Sequence, residues 1–500
     1  MILQIPGSAG DLCFDRPLLI GAHSAYVNSS WQVSVTGQGY GMFDPDLAEI
    51  RFGCGLSPTR RTAQSVDEMV ARLAGPDEVA EIFPIPTFDS LRPRIIELNT
   101  VRRQRRSDDE AERKAAQKEI RTTRSEFNAE RRRWLVHTVG RRATTADGFR
   151  ERLMAFWADH FTARASGLII QRTVSTYWEE AIRPHLTGPF HELLISAVTH
   201  PLMLMFLNQR GAIGPNSQAA MNRKKAMGLN ENLAREVMEL HTLGVDGPYS
   251  QQDVRQLAEL FTGLHFRPRE GMVFYPKLSE PGAETILGKS YGGDPARLED
   301  VHAALTDLAR HPATAKHIAW KLAVHFVADD PDPGLVHSIA ERFLETDGDL
   351  METYRAMLEH PAAWAATLNN VKPPVDFVSS ALRAFGVTPD LMKGFKSKQI
   401  RNTLETPLAF MGQPWDWPLG PDGWPEEDSH WVTPQAMATR MQWALVVPQI
   451  LVGKLPDPRK FVAVALGGYA PEQVRFAAKA AESRWEGVAL VLASPAFQRR

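Results

Sequence analysis

Phe149-Arg150-Glu151-Arg152-Leu153-Met154-Ala155-Phe156-Trp157-Ala158-Asp159-His160-Phe161 decides the fold class. Phe149, Leu153, Phe156, Trp157 and His160 recur at three- and four-residue steps, the period of a helix that turns one face to a core. The same period starts at Leu47-Ala48-Glu49-Ile50-Arg51-Phe52, after Met42-Phe43-Asp44-Pro45, and runs through most of the chain. It predicts an all-α protein, one large multi-helix body. A lone His on such a stripe is more often a core residue donating to a carbonyl than a ligand, yet His160 is the best-placed buried imidazole in the sequence.

Upstream of Met42 the texture differs. Residues 1–41 are rich in Gly, Ser and β-formers, so they are read as an extension outside the native fold. Residues 42–140 form a helical region with a long charged helix, residues 141–370 a helical core, and residues 371–500 a C-terminal helical region. Between Arg94 and Gly140 there is no intervening Pro or Gly, and Ala116, Ile120, Phe127 and Trp134 mark a narrow helical seam. Arginines and acids alternate along it at helical spacing, as in Asp109 with Arg113 and Glu110 with Lys114. That pattern describes a solvated helix, and no nucleic-acid partner is expected.

Composition narrows the field further. Of 500 residues, 43% are hydrophobic and 23% charged, enough apolar material for a packed core. Lys and Arg number 57 against 59 Asp and Glu, so the surface as a whole has no bias toward polyanions. Cys13 and Cys54 are too few for a disulfide framework. No apolar run is long enough for a membrane span, and no basic segment opens the chain, so a cytoplasmic location is expected.

Four strings repeat one form: Thr199-His200-Pro201, Arg310-His311-Pro312, Glu359-His360-Pro361 and Ala493-Ser494-Pro495. Pro suits the first position of a helix and forces the residue before it out of helical geometry, so these histidines read as helix boundaries. Two stretches interrupt the helices. Met272-Val273-Phe274-Tyr275 and Thr285-Ile286-Leu287, separated by Pro281-Gly282, read as a small β-hairpin insertion. Met411 to Pro434 is a long Trp/Pro-rich loop that sets Trp415, Trp417, Trp424 and Trp431 among five prolines, an ordered platform.

Asn230-Glu231-Asn232-Leu233-Ala234-Arg235-Glu236-Val237-Met238-Glu239-Leu240-His241 holds the candidate chemistry. At 100° per residue Asn232, Arg235, Glu236 and Glu239 share a face, and His241 lies opposite. The spacing to His241 rules out the Glu-x-x-His di-metal pattern. The two carboxylates could still share a proton or hold a metal with groups from other helices. No hydrolase, phosphate-loop or dinucleotide signature is present, and no cofactor is named by the sequence.

The run from Glu231 through Gly244-Val245, with Tyr249-Ser250-Gln251-Gln252-Asp253-Val254 and Leu260-Phe261-Thr262-Gly263, resembles a bacterial family known only as a domain of unknown function, DUF1800. Phe156-Trp157, His160-Phe161, Ile182-Arg183-Pro184-His185, His200-Pro201 and Gly420-Pro421-Asp422-Gly423-Trp424-Pro425 follow the same pattern. The resemblance runs from Met42 to the C-terminus and implies no activity. It implies a protein partner from a neighbouring uncharacterised family. Where the family places His and an acid before Pro-Gly, this chain has Ser279-Glu280-Pro281-Gly282.

Two functions follow as expectations. One is an enzyme in which Glu236 or Glu239 is acid, base or metal ligand, Asn232 and Arg235 orient substrate, and His160 adds an imidazole. The other is a binding or assembly module that engages a protein or carbohydrate through Trp415, Trp417 and Trp424.

Overall fold

The computed structural model describes residues 41–164, 167, 170–221 and 229–500. The expectation for residues 1–41 lies, but for Gly41, outside them. The described chain is a multi-helix body with two small two-stranded sheets. None of its helices is long and apolar enough to cross a membrane.

Local sequence explains where the helices start. At His200, His311 and His360 the ring Nδ1 accepts the N–H two residues on, at 3.0, 3.0 and 3.3 Å. Ser494 Oγ accepts from Phe497 in the same way. Each caps a helix whose first residue is Pro, so the unpaired donors of the first turn are reduced twice over.

The charged segment differs from its reading. It forms two helices, Phe88–Gln104 and Glu110–Thr144, because Asp109 caps a new helix by accepting from Ala111 N at 2.8 Å. Glu110 pairs with Lys114 at 2.6 Å, whereas Arg113 donates to the carbonyls of Ser107 and Asp108. The seam is buried as expected: Ala116, Ile120, Phe127 and Trp134 are each under 8% exposed. Residue 140, the expected edge of the first region, falls inside the second helix.

That helix serves two cores. Ile120, Phe127 and Trp134 belong to the first, which includes Phe52, Phe149, Trp157, Phe326 and Tyr354. Leu135, Val136 and Val139 belong to the second, which also holds Phe83 and Ala143 and otherwise consists of residues from Val375 onward, among them Phe377, Trp443 and Phe497. In the first core Trp157 Nε1 donates to Tyr354 OH at 2.6 Å, which donates to Leu186 O at 3.1 Å. Both polar tips are therefore satisfied where water is absent.

Strand content lies where the sequence placed it, but as two hairpins. β1 (Leu264–Arg267) pairs with β2 (Gly271–Phe274), and β3 (Gly282–Ile286) with β4 (Lys289–Gly293). The two extended runs are thus not each other's partners. The turn between β3 and β4 explains this: Leu287 and Gly288 both have positive φ, +50° and +78°, the two-residue reversal that suits a hairpin's twist.

Candidate functional site

In the helix Gly148–His160, Phe149, Leu153, Phe156 and Trp157 belong to the first core. The other face presents Glu151, Ala155, Ala158 and Asp159 to a cavity of about 120 Å³. Ala155 and Ala158 leave the space that larger side chains would fill. Tryptophans form much of the wall: Trp178, and Trp415, Trp424 and Trp431 of the Trp/Pro-rich loop. Trp178 and Trp415 meet edge to face at 5.5 Å, and Trp424 lies 6.2 Å from Trp431. The loop is docked, with Trp415 7% and Trp431 1% exposed.

The string Gly420 to Pro425 folds as a turn over the end of the helix, with Gly420 bridged to Gly423. Trp424 N–H donates to Asp159 Oδ1 at 2.9 Å. Gly423 has φ +83°, and a Cβ on it would stand 2.6 Å from the Asp159 carboxyl group. Only glycine meets both demands there.

Two carboxyl groups line this cavity in contrasting states. Burial pushes Asp159 up to about 8, helped by the charge of Glu426 and opposed by the Trp424 N–H and Lys321. At neutral pH it is largely protonated. Burial also acts to raise Glu426, but His325, Arg500 and Lys321 outweigh it and hold this group down at about 2. His325 is itself lowered to about 4, first by burial, with Arg152 adding to it and Glu426 opposing. Arg152 Nη2 lies 3.0 Å from His325 Nε2 and can only donate, so the ring proton sits on Nδ1 and goes to Glu426 Oε1 at 2.7 Å.

Behind His325, Asp376 accepts from Arg142 at 2.6 Å and pairs with Arg152 and Arg500. Asp416, beside Trp415, adopts φ +59° and accepts from Ser175 Oγ at 3.2 Å. Burial, against the attraction of Arg131, pushes it up to about 7.

The residues singled out in sequence are placed unevenly. Trp415 and Trp424 line the cavity; Trp417 does not, and is 42% exposed with Arg164 4.6 Å above its ring. His160 is buried, and its Nε2 lies 3.2 Å from the carbonyl of His241, the core role weighed for it. Glu236 and Glu239 are half-buried together, but neither lines the cavity. Arg235 pairs with Glu239 at 3.3 Å and Glu231 at 3.2 Å, and Asn232 is exposed. Burial raises Glu236 to about 7, with Glu239 and Asp422 adding to it. Asp422 also raises Asp159, so the helix of Glu236 and the cavity share one electrostatic neighbour. Among the described residues no three His, Cys, Asp or Glu side chains are grouped to hold a metal ion.

Sequence reasoning missed Asp159, His325, Asp376 and Glu426. One signal was available: on the helix whose apolar stripe was read, the opposite face sets two acids, Glu151 and Asp159, beside two alanines, Ala155 and Ala158, too polar for core and too small to fill the space before it.

Fold and site define a class of mainly helical protein with a tryptophan-walled cavity and two carboxyl groups in contrasting electrostatic surroundings. The chain belongs to the family described as "Protein of unknown function (DUF1800)", whose model matches residues 48–499. No curated protein and no solved structure matches it.

Proposed function

We propose that this chain is an enzyme that cleaves a glycosidic bond in the tryptophan-walled cavity, with Asp159 as proton donor and Glu426 as the charged partner. The observation that carries the reading is that two carboxyl groups line one cavity in contrasting surroundings. Asp159 is buried against a backbone N–H, in surroundings that favour its neutral form, whereas Glu426 is hydrogen-bonded to His325 beside cations that favour its charged form. Hydrolysis of an acetal needs a group that protonates the departing oxygen and a negative charge that steadies the cationic sugar ring. It also needs a water molecule that adds to the anomeric carbon and returns a proton to the carboxylate left on the donor, here Asp159. Broad indole faces offer apolar area to the C–H side of a sugar ring, and the few polar groups fix orientation. His325 and Arg152 position Glu426. Glu236, Glu239, Arg235 and Asn232 do not line the cavity and have no part in the chemistry in this reading.

The test is a panel of oligo- and polysaccharides assayed for new reducing ends. The wild-type chain should cleave at least one member, and Asp159→Asn should lower the rate by about 100-fold or more. Asp159→Asn should still bind the cleaved sugar, read as a change in tryptophan fluorescence. A panel in which nothing is cleaved and nothing changes the fluorescence would sink the proposal. The exposed Trp417 favours a second reading, a binding module without chemistry; it predicts fluorescence changes, lost in Trp417→Ala, with no new reducing ends.

A further inference from the structure

Behind the cavity lies a small chamber that shares Arg142 and Asp376 with it and is also lined by Arg152, Lys372, Ser379 and Arg500. Its free volume of about 10 Å³ is room for one water-sized occupant. The surroundings are strongly positive. Arg142, Arg152 and Arg500 all pair with the single carboxylate of Asp376. Of the other nearby acids, Glu426 is hydrogen-bonded to His325 and Glu151 to Arg183, and Glu426 and Asp428 act on Arg500 without forming an ion pair with it.

Lys372 makes the imbalance worse. It is 5% exposed and forms no ion pair among the described residues; its ammonium lies 4.1 Å from the Phe497 ring centroid. Burial lowers it to about 7, and Arg500, Arg152 and Arg440 press in the same direction. Unpartnered donors collect around the same space: the Nε atoms of Arg142, Arg152 and Arg500 and the hydroxyl of Ser379 are buried without a hydrogen-bond partner. Buried charges left unbalanced and buried donors left unpaired are both costly, and a bound anion would relieve both.

From this geometry we infer that the chamber holds one small monovalent anion, of which chloride is the physiological example, bound by Lys372, Ser379 and the free guanidinium N–H groups. Size excludes a phosphate or a substrate carboxylate. A water molecule could donate to the Ser379 hydroxyl and to the remaining lone pair of Asp376, but it would leave the excess positive charge unbalanced. The inference stands apart from the glycosidase reading: the site is structural and survives if the cavity proves to be only a binding surface.

The experiment uses the full chain and compares its melting temperature in sodium chloride and sodium gluconate at a fixed ionic strength of about 0.15 M, so that general screening is equal. Chloride should raise the melting temperature by ~2 °C or more, saturably with concentration. Lys372→Met should abolish the difference between the two salts, and Ser379→Ala, the milder change, should reduce it. Crystals soaked in bromide should give an anomalous peak between Lys372 and Ser379. Equal melting temperatures in the two salts, a full chloride response in Lys372→Met, or bromide crystals without that peak would each overturn the inference.

Discussion

The helical turns Asn232–His241 and the cavity under the Trp/Pro-rich loop both present carboxyl groups, and they treat them in different ways. Glu239 has its cation one turn away in Arg235, in partial contact with solvent. Asp159 has a backbone N–H and a glycine turn pressed against it. The first arrangement is local and written in consecutive residues. The second is assembled from residues more than 250 positions apart. A dense motif therefore marks what the chain must fold around, and a reactive environment can arise where sparse segments meet.

Four measurements sharpen or break this contrast. The largest effect is expected at the wall of the cavity: Asp376→Asn leaves Arg142, Arg152 and Arg500 without their common partner. It should cost about 3–5 kcal/mol in denaturant unfolding, since one side of a buried ionic network is removed. A cost under about 1 kcal/mol would show that the guanidinium groups do not depend on it.

Next, Gly423→Ala and Gly244→Ala test two glycines with similar backbone geometry, φ +83° and +88°. Each should destabilise by about 1–3 kcal/mol, the usual cost of forcing a side chain into that region. Only the first should disturb the cavity. Its Cβ would meet Asp159 at 2.6 Å, whereas the nearest atom to the second is His317 Nδ1 at 3.2 Å. Trp424 fluorescence should shift in Gly423→Ala and stay unchanged in Gly244→Ala.

A pH series separates the carboxyls. Asp159 is raised from 3.8 to about 8 on folding, so its contribution is fully present below 3.8 and is lost as pH climbs through 8. Glu236, raised from 4.5 to about 7, behaves in the same sense over a narrower window. Glu426 runs the other way: lowered to about 2, it stabilises above 4.5 and ceases to do so as pH falls through 2. Asp159→Asn should flatten the loss of stability between pH 4 and 8 more than Glu236→Gln does. If Glu236→Gln flattens it more, the helix of Glu236 is the more strained of the two regions.

The smallest effect belongs to the Arg235–Glu239 pair, partly exposed on both sides. Glu239→Gln should change stability by less than about 1 kcal/mol, the ordinary worth of such a pair. A loss of several kcal/mol would place Glu239 in a buried network and undo the comparison.

What was legible in the sequence was local. Each His-Pro boundary is fixed by chemistry within three residues, and each appears as a cap. The seam through Ile120 and Phe127 needed only one period. The cavity was half legible: the tryptophans could be chosen because a loop rich in Trp and Pro has to dock somewhere. Its acids could not, because the value of Asp159 depends on a turn at Gly423 and that of Glu426 on a ring at His325. The face arithmetic around Glu236 also assumed uniform helical rotation, but Val237–His241 is a wider, π-type turn.

That wider turn recurs at Ala48–Phe52, Trp178–Ile182 and Arg401–Glu405. Each amounts to one residue accommodated within a helix without breaking it. Removing one residue from such a turn would let it close to ordinary α geometry while the segments on either side keep their places, so that only the side chains of the turn itself are re-aimed. In descent, then, single-residue gains and losses at these four places are the cheapest way for the lineage to re-aim a side chain. Aligned relatives should carry their one-residue gaps there and spare the His-Pro boundaries.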